Sequence, residues 1–184
     1  MYGYPRYTLL QRLIHWLVAV LVIGALAIGL TLGFLGFEGA VARFGNETTN
    51  LLYKYHKTFG VLILGLMTLR LVLKLVLVQP EYDPPLPRLN RVASQAVHGL
   101  LYILLLSQGV IGWAATASGG YPVEFFRSTL PGILGKDPAL SQTLYSIHFA
   151  IGLALVALVA VHVGAALMHW LIRRDTVMHR ISLF

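Results

Sequence analysis

Four long stretches of the chain are almost wholly apolar, and most polar residues lie between them. Each stretch meets or approaches the roughly 20 residues that a helix needs to cross a hydrocarbon core about 30 Å thick. The pattern predicts an all-α fold, an integral membrane four-helix bundle that forms a single domain over residues 1–184. Thr8 is the expected N-cap of the first helix. The expected helices cover about residues 8–35, 54–78, 92–116 and 145–172.

The three connections differ in composition. The segment 79–90 contains four prolines in twelve residues, so it is expected to be a stiff, non-helical connector. Residues 36–53 are expected to form a short loop and residues 116–144 a longer one. The longer loop carries apolar residues such as Phe125, which predicts that it lies on the membrane surface and caps the bundle there.

Composition strengthens the membrane interpretation. Only 11% of the residues are charged and 57% are hydrophobic, whereas soluble domains have about 25% charged residues. The chain has no cysteine, which excludes disulfides, thiolate metal sites and thiol nucleophiles. Aromatic and basic residues are not interleaved along a soluble surface, so the expected partner is the lipid bilayer and not a nucleic acid.

The distribution of basic residues predicts the orientation. With the N-terminus in the cytoplasm, the cytoplasmic segments hold nine lysine and arginine residues and the opposite segments hold five. Cytoplasmic loops carry the excess of such residues in membrane proteins. Both termini and the connector after the second helix are therefore expected in the cytoplasm.

Two histidines in the fourth apolar stretch suggest the chemistry. His148 and His162 are fourteen residues apart, about 3.9 helical turns, so they share one face of a helix at depths that differ by roughly 21 Å. His56 opens the second helix on the outer side, and His15 lies about two turns into the first helix on the inner side. The sequence thus predicts the pairs His56–His148 outside and His15–His162 inside. His179, beyond the last helix, is expected to be an ordinary interfacial residue.

The pairs favour haem over other metal centres. Two imidazoles without nearby cysteine or carboxylate make a poor zinc site, because zinc usually has three or four protein ligands. Two axial imidazoles on haem iron need no further protein ligand, which predicts two haems inside the bundle. One turn after each histidine stands a small residue that would leave room for a flat macrocycle, although small residues are common between membrane helices. These residues are Ala19, Gly60, Gly152 and Ala166.

Haem propionates need cationic or hydrogen-bonding partners near the membrane surface. Arg12 precedes His15 by one turn and is the candidate partner for an inner haem. Lys54 and Lys57 flank His56 and are the candidates for an outer haem. The alternative for all three is that they are ordinary positively charged anchors at the membrane interface.

The motifs "RLIHWL" at 12–17, "HKTFG" at 56–60 and "HGLLY" at 98–102, with the later histidine pair, resemble the prokaryotic cytochrome b561 family over essentially the full chain. The resemblance implies a multi-pass protein of the bacterial inner membrane with two b-type haems. It implies the ligand pairs His15–His162 and His56–His148, the same pairs that depth predicts. It also implies oxidation of superoxide at the periplasmic face, with ubiquinone as the electron acceptor.

His98 and His169 stand towards the cytoplasmic half of the bundle. Reduction of a quinone needs a proton donor beside an apolar slot, and histidine titrates near neutral pH. Both are therefore candidates for a quinone site near the inner haem, the alternative being interfacial histidines without chemistry. A positive outer surface would steer superoxide, which is an anion, but acidic residues in the same loops dilute that charge.

Three functions follow from these patterns. The first is a di-haem cytochrome, a superoxide:quinone type of oxidoreductase, that passes electrons from a periplasmic donor to ubiquinone. The second is a cytochrome b subunit that anchors a dehydrogenase or hydrogenase and passes electrons between it and quinone. The third is a transporter whose histidines relay protons or bind a metal ion, and this function predicts a colourless protein.

Overall fold

The computed structural model describes residues 5–184, so the first four residues of the predicted domain lie outside the described range. Most of these residues lie in four long helices, and each helix is long and apolar enough to cross a membrane. The prediction of an all-α membrane four-helix bundle is confirmed, with one small β-hairpin added between the last two helices. The helices are α1 (Leu9–Phe44), α2 (Asn46–Val76), α3 (Arg88–Ser118) and α4 (Pro138–Leu167), and the hairpin strands are β1 (Val123–Phe125) and β2 (Ser128–Leu130).

A capping box begins α1. The Thr8 hydroxyl accepts a hydrogen bond from the Gln11 N–H at 3.3 Å, and the Gln11 side chain accepts one from the Thr8 N–H at 3.1 Å. These reciprocal bonds satisfy two N–H groups that a helix start leaves unpaired. The predicted cap at Thr8 is confirmed, and it fixes the register of α1 from its first turn.

The predicted loop over residues 36–53 is wrong, because this segment is helical. Gly36 has φ of 67°, which kinks α1 where the apolar stretch ends, and the helix then continues to Phe44. Gly45, with φ of 79°, separates α1 from α2, which begins at Asn46. Hydropathy records how much of a helix fits in hydrocarbon, whereas helical hydrogen bonding continues into the polar region wherever no residue interrupts it.

The third and fourth helices also begin earlier than predicted. α3 begins at Arg88, directly after the proline-rich connector, and α4 begins at Pro138. The Asp137 carboxylate caps α4 by accepting a hydrogen bond from the Leu140 N–H at 3.0 Å, and proline at the first helical position needs no N–H partner. The residues that begin these two helices are polar or proline and lie outside the apolar stretches. Hydropathy alone therefore predicts both helix starts several residues too far along the chain.

All four helices contribute to one central core. α1 packs chiefly against α2, and α3 chiefly against α4. Association of helices in lipid depends on close packing, because lipid tails are as apolar as the side chains. The core holds the helices in register for the sites described below. Its buried members are Ile14, Val18, Val22, Ile63, Met67, Leu105 and Leu155.

The C-terminal tail folds back over the start of α1. The Trp16 indole N–H donates to the Ile181 carbonyl at 3.0 Å, and the Arg12 guanidinium donates to the Ser182 carbonyl at 2.9 Å. Arg180 is buried, with its guanidinium 3.7 Å from the centre of the Tyr82 ring in the proline-rich connector. The tail, the start of α1 and the connector therefore close the same end of the bundle.

Candidate functional site

The outer histidine pair stands between α2 and α4. The ring centres of His56 and His148 are 6.0 Å apart, with the ring planes at 86°. A metal–imidazole bond is about 2 Å long, so two imidazoles on opposite sides of one metal ion have ring centres roughly 6 Å apart. The structure thus brings this predicted pair together at a separation that would suit one metal ion held by both imidazoles.

A glycine of a neighbouring helix lies directly against each outer imidazole. A Cβ atom at Gly29 of α1 would come within 2.6 Å of His56 Cε1, and one at Gly112 of α3 within 2.8 Å of His148 Cε1. Such distances are shorter than real contacts, so only glycine leaves space for the rings as they stand. The sequence analysis missed both glycines, because their spacing within one helix does not show which residue of another helix they meet.

A hydrogen bond fixes the tautomer of one imidazole of the outer pair, that of His56. His56 Nδ1 lies 3.1 Å from the Ala25 carbonyl oxygen, one turn before Gly29. Nδ1 therefore carries the proton, which leaves the lone pair on Nε2 for a metal; such a bond to a backbone carbonyl is usual for ligating histidines. His148 Nδ1 is buried without a hydrogen-bond partner. No hydrogen bond therefore fixes the tautomer of His148, and burial of a nitrogen without a partner is costly.

A cavity of about 50 Å³ lies at this pair. Its lining includes both imidazoles, the small residues Gly29 and Gly152, and the amide of Gln108. The Gln108 amide donates to the His148 carbonyl at 3.0 Å, while its own oxygen is buried without a partner. The donor set, the spacing and the small lining residues fit a haem, although the macrocycle is wider than the cavity and neighbouring side chains would have to turn aside.

The inner pair has nearly the same separation. The ring centres of His15 and His162 are 6.2 Å apart, with the planes at 74°. His98 also reaches this site, but its ring centre is only 5.1 Å from that of His162, about 1 Å less than two opposed ligands of one metal ion require. The spacing therefore favours His15 as the partner of His162 across an ion, with His98 packed beside them.

The small residues one turn after the four histidines have different surroundings. A Cβ at Gly60 would meet no atom within 4 Å, so this glycine faces open space, whereas Gly152 lines the outer cavity. Ala19 and Ala166 are half-buried. The glycines that lie against the outer imidazoles, Gly29 and Gly112, are thus on other helices than the histidines they contact. That the four predicted small residues leave room for a macrocycle stays a prediction.

The three predicted propionate partners also differ. Arg12 donates to the C-terminal tail through one terminal nitrogen, while its Nε is buried without a partner. Lys54 is half-buried. Lys57 forms an ion pair with Glu124 at 2.5 Å and donates to the Pro122 carbonyl at 3.0 Å. Lys57 therefore holds the loop before α4, and it would have to leave Glu124 to meet a propionate.

The two quinone candidates lie in separate surroundings. His98 Nδ1 is 2.6 Å from the Ser94 carbonyl oxygen, so Nε2 is its free nitrogen. His169 is only 8% exposed and lies in a π-helical segment, Met168–Arg173, that follows α4. Its Nδ1 is 2.5 Å from an Asp175 carboxylate oxygen. The structure does not bring His169 into ring contact with His98 or His162, and Asp175 is a residue that the sequence analysis missed.

The hairpin covers the outer end of the bundle and is fastened to α2. The hydroxyl of the fully buried Thr58 accepts a hydrogen bond from the Phe126 N–H at 3.2 Å and donates to the Glu124 carbonyl at 3.5 Å. Thr58 follows His56 by two residues on α2, so the cover is attached to the helix that supplies one outer imidazole. The longest connection thus caps the bundle, as its apolar residues predict.

We expect Thr58→Val to loosen the hairpin while the bundle stays intact. Valine keeps the shape of threonine but removes the hydrogen bond to the Phe126 N–H, a net loss of about 0.5–1.5 kcal/mol. Hydrogen exchange should show faster exchange at residues 123–130 and unchanged exchange in α3. Thr143→Val is the control, because that hydroxyl bonds only within its own helix. Unchanged exchange of the hairpin in Thr58→Val would contradict this role.

The donor groups set a limit on the kind of metal centre. Within residues 5–184, no group of three or more histidine, cysteine or carboxylate side chains could hold a metal ion. The arrangement is therefore two pairs of imidazoles in an apolar bundle, which is suited to cofactors that bring their own equatorial ligands.

Comparison with known proteins identifies the family. The model of the prokaryotic cytochrome b561 family matches residues 6–182. The chain belongs to this family. The resemblance seen in the histidine motifs is confirmed, and the cytochrome is accordingly a multi-pass protein of a bacterial membrane that carries haem b and functions in transmembrane electron transfer.

Three relatives match almost the whole cytochrome. Cytochrome b561 homolog 2 of Escherichia coli (strain K12) is 27% identical over 177 residues, which cover 96% of this chain and 90% of the relative. Cytochrome b561 homolog 1 of the same organism is 26% identical over 96% of each chain. A protein of Yersinia pestis named "Probable superoxide oxidase CybB" is 26% identical over 97% of this chain and 96% of its own length.

Proposed function

We propose that this cytochrome holds two haems b, one at His56–His148 and one at His15–His162. The observation that carries the proposal is the ring separation of 6.0 Å and 6.2 Å in the two pairs. α4 supplies one ligand to each pair, fourteen residues apart in a continuous helix, so the sites differ in depth by roughly 21 Å. Each haem supplies one-electron redox chemistry, and the protein supplies the ligands, the apolar surroundings and the spacing between them.

The basic residues at the two ends would hold the propionates. For the inner haem, the buried and unpaired Nε of Arg12 is a donor without a protein acceptor, and a carboxylate would satisfy it. For the outer haem, Lys54 and Lys57 are the nearest basic residues in sequence to His56. Binding through Lys57 would exchange its Glu124 partner for a propionate and so loosen the hairpin.

We further propose that superoxide donates electrons at the outer pair and that ubiquinone accepts them near the inner pair. The excess of basic residues in the segments on the side of the inner pair supports a cytoplasmic position for both termini, which makes the outer pair periplasmic. The full-length similarity to a protein named as a probable superoxide oxidase supports the choice of donor. Two superoxide anions, one quinone and two protons then give two molecules of oxygen and one quinol.

The test uses the purified chain alone. Oxidised and dithionite-reduced spectra should show b-type haem at two per chain, and superoxide with a soluble ubiquinone analogue should give quinol much faster than haem-free protein does. A rate equal to that of the haem-free protein would overturn the proposed donor and acceptor. That result, with both haems present, would instead favour a subunit that anchors a dehydrogenase or hydrogenase. Absence of a haem band would contradict both functions.

A further inference from the structure

The chain turns back on itself directly after α4, and this turn joins His169 to Asp175. The π-helical segment Met168–Arg173 ends at Arg174, which has φ of 52° and so adopts the left-handed conformation. The turn brings the Asp175 N–H to the His169 carbonyl at 3.2 Å and an Asp175 carboxylate oxygen to His169 Nδ1 at 2.5 Å. π-helical turns are rare in proteins, and those that occur are frequently found at functional sites.

Both carboxylate oxygens of Asp175 are engaged, so the pair is held in one geometry. Oδ2 meets His169, and Oδ1 accepts a hydrogen bond from the Val177 N–H at 3.1 Å. The next residue, Thr176, donates its hydroxyl to the Asp83 carbonyl at 2.5 Å and so fastens the turn to the proline-rich connector. Among residues 5–184 the only ion pair between a carboxylate side chain and a lysine or arginine joins Lys57 to Glu124 at the far end of the bundle.

The pairing decides which nitrogen of His169 is available. Nδ1–H donates to Asp175, which leaves Nε2 as the nitrogen that can exchange a proton; no hydrogen bond to Nε2 is formed within the described part of the chain. A carboxylate partner orients an imidazole and stabilises the imidazolium that carries the proton to be delivered, as in other histidine–carboxylate pairs. His169 is almost buried, so its ring lies at the edge of the apolar bundle and not in bulk water.

We propose that Asp175 is a positioning residue that holds His169 as the proton donor to the quinone. This inference rests on the proposed function, reduction of a quinone near the inner pair. In the step, a quinone that has taken two electrons from superoxide receives one proton: the Nε2–H bond of His169 breaks, and an O–H bond forms on the quinone. The second proton of the quinol comes from cytoplasmic water, which also restores the proton on Nε2.

Asp175→Asn tests the pair, because asparagine keeps the shape but removes the negative charge. With a soluble ubiquinone analogue, we expect kcat for quinol formation to fall by up to about 100-fold, the lower end of what a positioned general acid contributes, while KM stays within about twofold. The reaction should also become clearly slower in deuterated water than in water, which a merely structural role would not cause. Haem content and reduction of the haems by superoxide should remain unchanged.

Thr176→Val is the matched control, because it removes the bond from the turn to Asp83 and leaves the His169–Asp175 pair. Its kcat should equal that of the wild type, and a loss as large as that of Asp175→Asn would overturn the inference. If Asp175→Asn loses haem, Asp175→Glu decides: its longer carboxylate displaces the imidazole, so an intermediate kcat supports the pair and a wild-type kcat overturns it.

The proposed function and the inference fail in different ways. If the wild type with both haems forms no quinol from superoxide and quinone, the proposed function is wrong and the inference falls with it. If the wild type forms quinol and Asp175→Asn forms it at the same rate with the same solvent isotope effect, only the role of Asp175 is overturned.

Discussion

Replacing His148 with alanine is expected to remove the outer haem and to leave the inner haem in place. The purified variant should contain one haem b per chain, where the wild type contains two, by pyridine haemochrome assay against protein concentration. The reason is that His148 serves only the pair with His56, whose ring centre is 6.0 Å away. His162 lies fourteen residues further along the same helix, roughly 21 Å away. Quinol formation from superoxide should fall to that of haem-free protein, since the outer haem is the proposed entry point for electrons.

Two further variants make the result specific. His162→Ala should lose the inner haem and keep the outer one, so the spectra of the two variants should add up to that of the wild type. His179→Ala is the matched control, because this histidine lies in a short 3₁₀ turn after the bundle, and it should keep both haems. Loss of both haems in His148→Ala with a stable, helical protein would contradict two separate sites. So would a wild type with a single haem.

The sequence predicts the helix number and the histidine pairs because both depend on spacing along one chain. An apolar stretch of sufficient length has few alternatives to a membrane helix, and fourteen residues place His148 and His162 on one face whatever lies around them. Helix ends are less predictable. The segment 37–44 carries the charged residues Glu38 and Arg43, yet it remains helical beyond the kink at Gly36. The end of an apolar stretch is therefore not the end of its helix.

What the sequence could not predict depends on how helices rotate against one another and on single backbone conformations. Gly29 and Gly112 are two of eighteen glycines, and only the packing shows that each lies against an imidazole. Asp175 follows two arginines, which suggests an ordinary charged interface until the left-handed Arg174 turns it towards His169. The same holds for Lys57, whose ion-pair partner Glu124 lies 67 residues further along the chain, in a hairpin that hydropathy shows only as a semi-apolar loop.

Gly29→Ala should weaken the outer haem site selectively. The new Cβ would stand 2.6 Å from His56 Cε1, and the atom it approaches belongs to a ring whose Nδ1 is tied to the Ala25 carbonyl. The imidazole must therefore shift or turn, which removes both its alignment with His148 and its fixed tautomer. Changes to such supporting contacts usually lower metal affinity about 10–100-fold. The purified variant should retain the inner haem and lose most of the outer haem, measured as haem content after gel filtration.

Gly65→Ala is the control that separates this effect from a general effect of the substitution. Gly65 lies on α2, the helix of His56, and a Cβ there would meet no atom within 4 Å. Alanine is favoured over glycine in a helix interior by about 1 kcal/mol, so both variants should gain helix stability if they differ from the wild type in nothing else. If Gly29→Ala loses haem and Gly65→Ala does not, the loss cannot come from helix propensity, which favours alanine at both positions. The contact with His56 would then be its cause. Equal, full haem content in both variants would mean that the His56 imidazole does not need this glycine when haem is bound.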